Sequence, residues 1–144
     1  MPYDQNKIVA ANRLQEGSER DSFAPARYRQ FYRHFPVQAK KVLDVGCNTG
    51  RGGAVLKTCN PAIELTGIDC VPERIAALDK SVYDRTLCGL STQIPVLDGS
   101  FDVVVAGEFI EHVPPLQVEA TLVEFFRVLR LKGRLLLTTP IQII

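Results

Sequence analysis

Lys40-Lys41-Val42-Leu43-Asp44-Val45-Gly46-Cys47-Asn48-Thr49-Gly50-Arg51-Gly52-Gly53 is the stretch on which the fold turns. Val42 to Val45 is an apolar run of strand length, interrupted by Asp44, and it breaks into a glycine-rich loop. Ala54-Val55-Leu56 then opens a segment of helical character. Strand, glycine turn and helix N-terminus in succession offer a ligand close backbone approach and exposed N–H groups. The glycine spacing selects the ligand. A dinucleotide pyrophosphate needs G-x-G-x-x-G, but here Asn48 and Arg51 stand at the second and third glycine positions. The pyrophosphate loop is poorly matched.

Working outward, 144 residues suffice for one domain with a sizeable core. A composition of 46% hydrophobic and 23% charged residues is ordinary for a globular protein, and a net charge of +1 gives no general attraction to nucleic acid or membrane. The cysteines at 47, 59, 70 and 88 form no C-x-x-C pair, which argues against a zinc site or a disulfide scaffold. No basic-then-apolar leader and no apolar run of membrane-spanning length is present. A reducing, cytoplasmic setting is the expectation.

Residues 1–22 are polar, with Ile8, Val9 and Leu14 as sparse apolar anchors, and leave open a helix over the ligand or no fixed structure. From Pro25 onward, Tyr28, Phe31, Tyr32 and Phe35 fall on one helical face, with Arg27, Arg29 and Arg33 pointing mostly elsewhere. Basic residues among aromatics also suit nucleic acid, but the amphipathic spacing favours a helix packed on a sheet. Asn60-Pro61 marks a break, and 63–68 reads as a second strand ending at Asp69-Cys70. An acid there, about 20 residues past the glycine loop, is placed to accept from ribose hydroxyls. Helix capping by Asp69 is the weaker alternative, because Pro72 and Glu73 already favour that helix start.

Residues 72–80 read as a crossover helix, 85–88 as a third strand and 101–106 as a fourth. The fourth is apolar throughout, as expected when helices cover both faces. Val118, Leu122, Phe125, Phe126 and Leu129 make a helical stripe within 117–130, Lys132-Gly133 stops it, and 134–140 is a fifth strand. The fold class is therefore α/β, a three-layer Rossmann-like parallel sheet of about five strands. A helical segment, 1–36, precedes the ligand-binding domain, 37–144.

Asp44-Val45-Gly46-Cys47-Asn48-Thr49-Gly50 resembles the first motif, D-x-G-C-G-x-G, of class I S-adenosylmethionine-dependent methyltransferases. Asn48 replaces the middle glycine and tolerates left-handed backbone angles better than other side chains. The segment from Gly89 to Asp102 resembles the family's G-D-a-x-x-l-P-f-x-d-x-s-F-D, with Leu90 where the family has the acid that accepts from the adenine amino group. Losing one neutral hydrogen bond of roughly 1 kcal/mol weakens a ligand about fivefold. Arg127-Val128-Leu129 and Gly133-Arg134-Leu135 resemble the closing motif. The resemblance, to the small-molecule type, spans 42–140 and implies S-adenosylmethionine as cofactor.

It assigns Asp44 and the loop Gly46, Cys47, Asn48, Gly50 to the methionine end of the cofactor and Asp69 with Cys70 to the ribose. Leu90 and Ser91 fall at the adenine edge, and Glu108 near the methyl. His112 is the candidate base, with Glu111 second, where the acceptor is a hydroxyl or protonated amine. Glu108-x-x-Glu111-His112, at i, i+3, i+4, resembles a metal pattern of some family members and would hold a divalent ion on one face of a helical turn. The competing role is metal-free, with His112 facing the crevice or satisfied by backbone.

No Asn/Asp-Pro-Pro-aromatic tetrapeptide is present, so a small-molecule acceptor is expected and a nucleic-acid acceptor disfavoured. The sequence lacks the family's last strands, which predicts an exposed edge at Leu135, Leu136 and Leu137, open to a second copy or to further domains in a longer protein. Two other functions stand beside methyl transfer: a non-catalytic binding or scaffold module of the same fold, and an NAD(P)-binding oxidoreductase.

Overall fold

A computed structural model describes residues 4–15 and 23–140. Five strands form one parallel sheet in the order β3-β2-β1-β4-β5: β1 Lys41–Val45, β2 Glu64–Asp69, β3 Arg85–Cys88, β4 Phe101–Gly107 and β5 Leu129–Thr138. The helices are α1 Gln5–Arg13, α2 Ala24–Arg33, α3 Arg51–Cys59, α4 Pro72–Ala77 and α5 Val118–Val128. Two 3-10 turns, Ile110–His112 and Pro115–Gln117, join β4 to α5.

The apolar runs of β1 and β4 still alternate between faces. Val42, Val103 and Val105 meet Tyr28, Phe31 and Leu56 from α2 and α3. Leu43, Val45 and Val104 meet Phe125 and Val128 from α5 on the other face. Burial on both sides explains why these strands read as unbroken hydrophobic sequence. The expected aromatic face of α2 is observed, with Tyr28 and Phe31 buried and Tyr32 and Phe35 packed partly against them. α3 lies close beside α2 because Gly52 has no side chain; a Cβ there would sit 2.2 Å from the Tyr28 ring.

Several element bounds differ from the sequence reading. α3 begins at Arg51 rather than at Ala54, straight out of the loop. The crossover helix stops at Ala77 instead of Lys80. Leu78 turns to extended backbone and is buried, and the Asp79 carboxylate then takes the Ser81 N–H and hydroxyl. That side-chain turn competes with a further helical turn. The last helix ends at Val128, not Arg130, because Leu129 already pairs with Phe101. β5 therefore starts before the expected Arg134, and 130–133 bulges out of the ladder with Lys132 at φ +66°. Among the described residues β5 is a sheet edge, but Leu135 and Leu136 are partly covered and Leu137 alone of the three is exposed.

Candidate functional site

In the strand order, β1 is flanked by β2 and β4, so the chain crosses to opposite sides of β1 and opens a crevice at the strand ends. Open α/β sheets bind ligands at such a switch point. A cavity of about 560 Å³ lies there, within the usual range for small-molecule sites. Its floor is the glycine loop. Gly46 has φ +66°, and a Cβ on it would come 2.5 Å from the Phe109 ring. Asn48 adopts φ +49°, the left-handed conformation expected of it, and Gly50 starts α3 at φ +86°.

Asp69 closes the end of β2. Its Oδ2 accepts from the Asn48 N–H at 3.1 Å and its Oδ1 from the Val71 N–H at 2.9 Å. The carboxylate thus joins two loops and also lines the cavity. The second bond is a local turn to the amide of Val71, the residue that precedes the helix, and no side chain caps that helix.

Of the other expected cofactor residues, Gly46, Cys47, Asn48, Cys70, Leu90, Ser91 and Glu108 line the cavity, as do Glu111 and His112. Asp44 and Gly50 do not line it. Asp44 is wholly buried behind the loop, where Tyr28 Oη donates to Oδ1 at 2.8 Å and Tyr83 Oη to Oδ2 at 2.6 Å. Burial pushes its carboxyl up to about 6, and the two phenols oppose that shift. Burial also raises Cys47 well above a free thiol and Cys70 to about 11, so neither is an activated nucleophile. Gly50 packs against Leu78 and Tyr83.

Glu108 follows β4 at φ +48°, fixed by bonds from its N–H to Thr138 O at 3.0 Å and Thr138 Oγ1 at 3.2 Å. Its Oε1 lies 3.4 Å from Arg27 Nε, while its Oε2 is buried without a hydrogen-bond partner. Burial first, then Glu111, raises the Glu108 carboxyl, against the pull of Arg27. Arg27, expected to point elsewhere, therefore enters the site. The expected single helical face for Glu108, Glu111 and His112 is also corrected: the 3-10 turn begins at Ile110, and Glu108 precedes it in left-handed backbone. His112 Nε2 lies 3.9 Å from Glu111 Oε1. Among the described residues no group of three His, Cys, Asp or Glu side chains could hold a metal ion.

Sequence reasoning missed Arg74 and Phe109, which line the cavity, while Ile8 and Asn12 bring the helical alternative left open for residues 1–22 into its wall. It also missed the partnership of Tyr28 and Tyr83 with Asp44. A tyrosine on a buried helical face was the available signal, since a buried phenol needs a polar partner.

Residues 43–137 match the family model described as "Methyltransferase domain". The chain belongs to the class I S-adenosylmethionine-dependent methyltransferases. It is 31% identical over 119 residues to a malonyl-[acyl-carrier protein] O-methyltransferase of Laribacter hongkongensis, covering 74% of this chain and 38% of that protein. It is 34% identical over 114 residues to the mitochondrial ubiquinone biosynthesis O-methyltransferase of Bos taurus, covering 72% of this chain and 30% of that one. The chain thus spans about a third of the length of these relatives. The fold is also that of the [4+2]-cyclase SpnF, with a TM-score of 0.70 and 22% identity over 80% of this chain and 44% of SpnF.

The cofactor this family implies is S-adenosylmethionine, and the residues present fit it. The cavity is lined by the glycine-turn residues 46–49, a carboxylate at the end of β2, and Glu108, one of whose oxygens is buried and still lacks a donor. Among the described residues no helix is long and apolar enough to cross a membrane.

Proposed function

We propose that this chain is the cofactor-binding domain of a methyltransferase whose acceptor is a small-molecule oxygen, nitrogen or carbon nucleophile. The observation that carries the reading is Asp69, a cavity-lining carboxylate held one hydrogen bond from the glycine loop. When bound, S-adenosylmethionine supplies an electrophilic methyl on a sulfonium. The protein's task in such a displacement is to position donor and acceptor and to exclude water. Asp69 accepts from the ribose hydroxyls; Leu90 and Ser91, with Cys70, border the adenosine. The loop 46–49 and Glu108 surround the methionine and methyl end. Asp44 and Gly50 act from behind, fixing the loop's shape. His112 takes the proton of a hydroxyl or ammonium acceptor at a ring nitrogen, with Glu111 beside it.

Two relatives named as O-methyltransferases favour an oxygen acceptor. A cytoplasmic setting and pairing of two copies along the β5 edge complete the reading; loss of the dimer on Leu137→Lys in sedimentation would support the second. The decisive experiment is calorimetry with S-adenosylmethionine and NADH, followed by a methyl-transfer screen. Asp69→Ala should weaken S-adenosylmethionine by roughly 10- to 100-fold, the size of a hydrogen bond to a charged group. Unchanged affinity removes Asp69 from the site. Binding without turnover on any acceptor favours the non-catalytic module, and tight NADH binding alone favours the oxidoreductase.

A further inference from the structure

α1 is an odd element. Its sequence, QNKIVAANR, buries no residue fully, and a helix of nine residues is marginal by itself. Yet Ile8 and Asn12, with Gln15 just beyond the helix, form part of the cavity wall. Asp4 caps the N-terminus by accepting from the Asn6 N–H at 2.9 Å. The other end is held from outside. Arg74 of α4 donates through Nη2 to Asn12 O at 2.6 Å and to Gln15 O at 2.9 Å. A cation at these carbonyls meets the negative end of the helix dipole.

The neighbouring ion pair is a poorer fastener. Arg13 Nε lies 2.8 Å from Glu73 Oε1, but both side chains are at least half exposed, and such pairs are weakened by solvent. Arg74 is 16% exposed, and its Nη1 stands 3.7 Å from Asp69 Oδ1. One planar guanidinium therefore touches the helix over the cavity and the carboxylate inside it. A lysine cannot copy that, because its single ammonium lacks the rigid fork.

We propose that Arg74 is a positioning residue that fastens α1 as a roof over the Asp69 end of the cavity. Its consequence for the cofactor rests on the function proposed above. A roof held through Asp69's neighbour slows escape of whatever Asp69 binds, and by linkage the bound ligand steadies the roof.

The test is hydrogen exchange of residues 5–15 in the ligand-free protein, paired with S-adenosylmethionine release rates. Arg74→Ala should cost about tenfold of the protection in 5–15 and speed release by about tenfold, the worth of a charge-assisted pair of bonds. Arg74→Lys should recover only part of both, and Arg13→Ala should stay within about twofold of wild type. A melting curve on each variant checks that the sheet stays folded; should Arg74→Ala fail that check, Arg74→Lys and Arg13→Ala carry the comparison. Unchanged protection in the Arg74 variants, or an equal loss in Arg13→Ala, overturns the proposal. If wild type fails to bind S-adenosylmethionine, the proposed cofactor falls, while exchange in the free protein still decides the roof.

Discussion

The Tyr83 phenol donates to Asp44 Oδ2 at 2.6 Å, tying the loop before β3 to the central strand beneath the glycine turn. With Tyr28 on the other oxygen, both acceptor atoms of a fully buried carboxylate are engaged. Tyr83→Phe leaves one of them bare, which costs about 1–3 kcal/mol. Urea denaturation of this variant should show that loss. A midpoint equal to wild type would mean that the bond contributes nothing.

The same carboxyl makes stability depend on pH. Its folded value, about 6, lies above the ordinary aspartate value. The native state therefore binds the proton more tightly than the unfolded chain does. That contribution is fully present below about pH 4 and is lost as pH rises through about 6. Subtracting the Asp44→Asn stability profile from wild type should give a difference that falls by roughly 2–3 kcal/mol across this window and is flat above it. A difference that rises with pH would contradict burial as the governing cause.

Gly46 needs both its backbone angle and its missing side chain. Gly46→Ala places a Cβ at φ +66° and 2.5 Å from Phe109. Left-handed strain alone costs about 1–2 kcal/mol, and the clash adds to it. The double variant with Phe109→Ala should recover the clash but not the strain. Thermal melts of Gly46→Ala, Phe109→Ala and the double variant close the cycle that separates these contributions.

Asn48 provides a gentler perturbation. At φ +49° it pays a conformational penalty that glycine avoids, while its contact with Asp69 uses the backbone N–H. Asn48→Gly should keep S-adenosylmethionine affinity within about threefold, whereas the β-branched Asn48→Val should lose about tenfold or more. Titration calorimetry compares them.

Arg127 of α5 organises the loop between β3 and β4. It donates to Ile94 O and Val96 O, each at 2.8 Å, and pairs with Glu124 at 2.7 Å and Asp98 at 2.8 Å. Arg127→Met keeps the apolar stem but strands those carbonyls. Discounting the exposed Asp98 pair, a loss of about 2 kcal/mol is expected in chemical denaturation.

The sheet was legible because its signals are local and repeated. β1 and β4 are mostly apolar runs that end near glycine, and burial on both faces makes such runs legible. Boundaries were less legible where a distant partner decides them. Leu129 leaves helical backbone because Phe101 pairs with it, and no residue near 129 announces that. The placement of Asp69 and Asn48 together at the cavity was readable from chemistry and spacing. The Arg74 contacts were not, since they are made to Asn12 and Gln15, far earlier in a segment whose sequence left helix and no fixed structure both open. Asp44, which the motif drew attention to, is fully buried and held by Tyr28 and Tyr83 rather than lining the cavity.

Asp69 holds the Asn48 and Val71 amides through bonds internal to the protein. Two chain segments that would otherwise have to freeze during association are already frozen by folding. The ordering entropy of these two segments is then a property of the protein's own stability curve, so coupled folding in the heat capacity of complex formation should come from α1 rather than from them. Mutating this acid would thus change the thermodynamic signature of association as well as its strength.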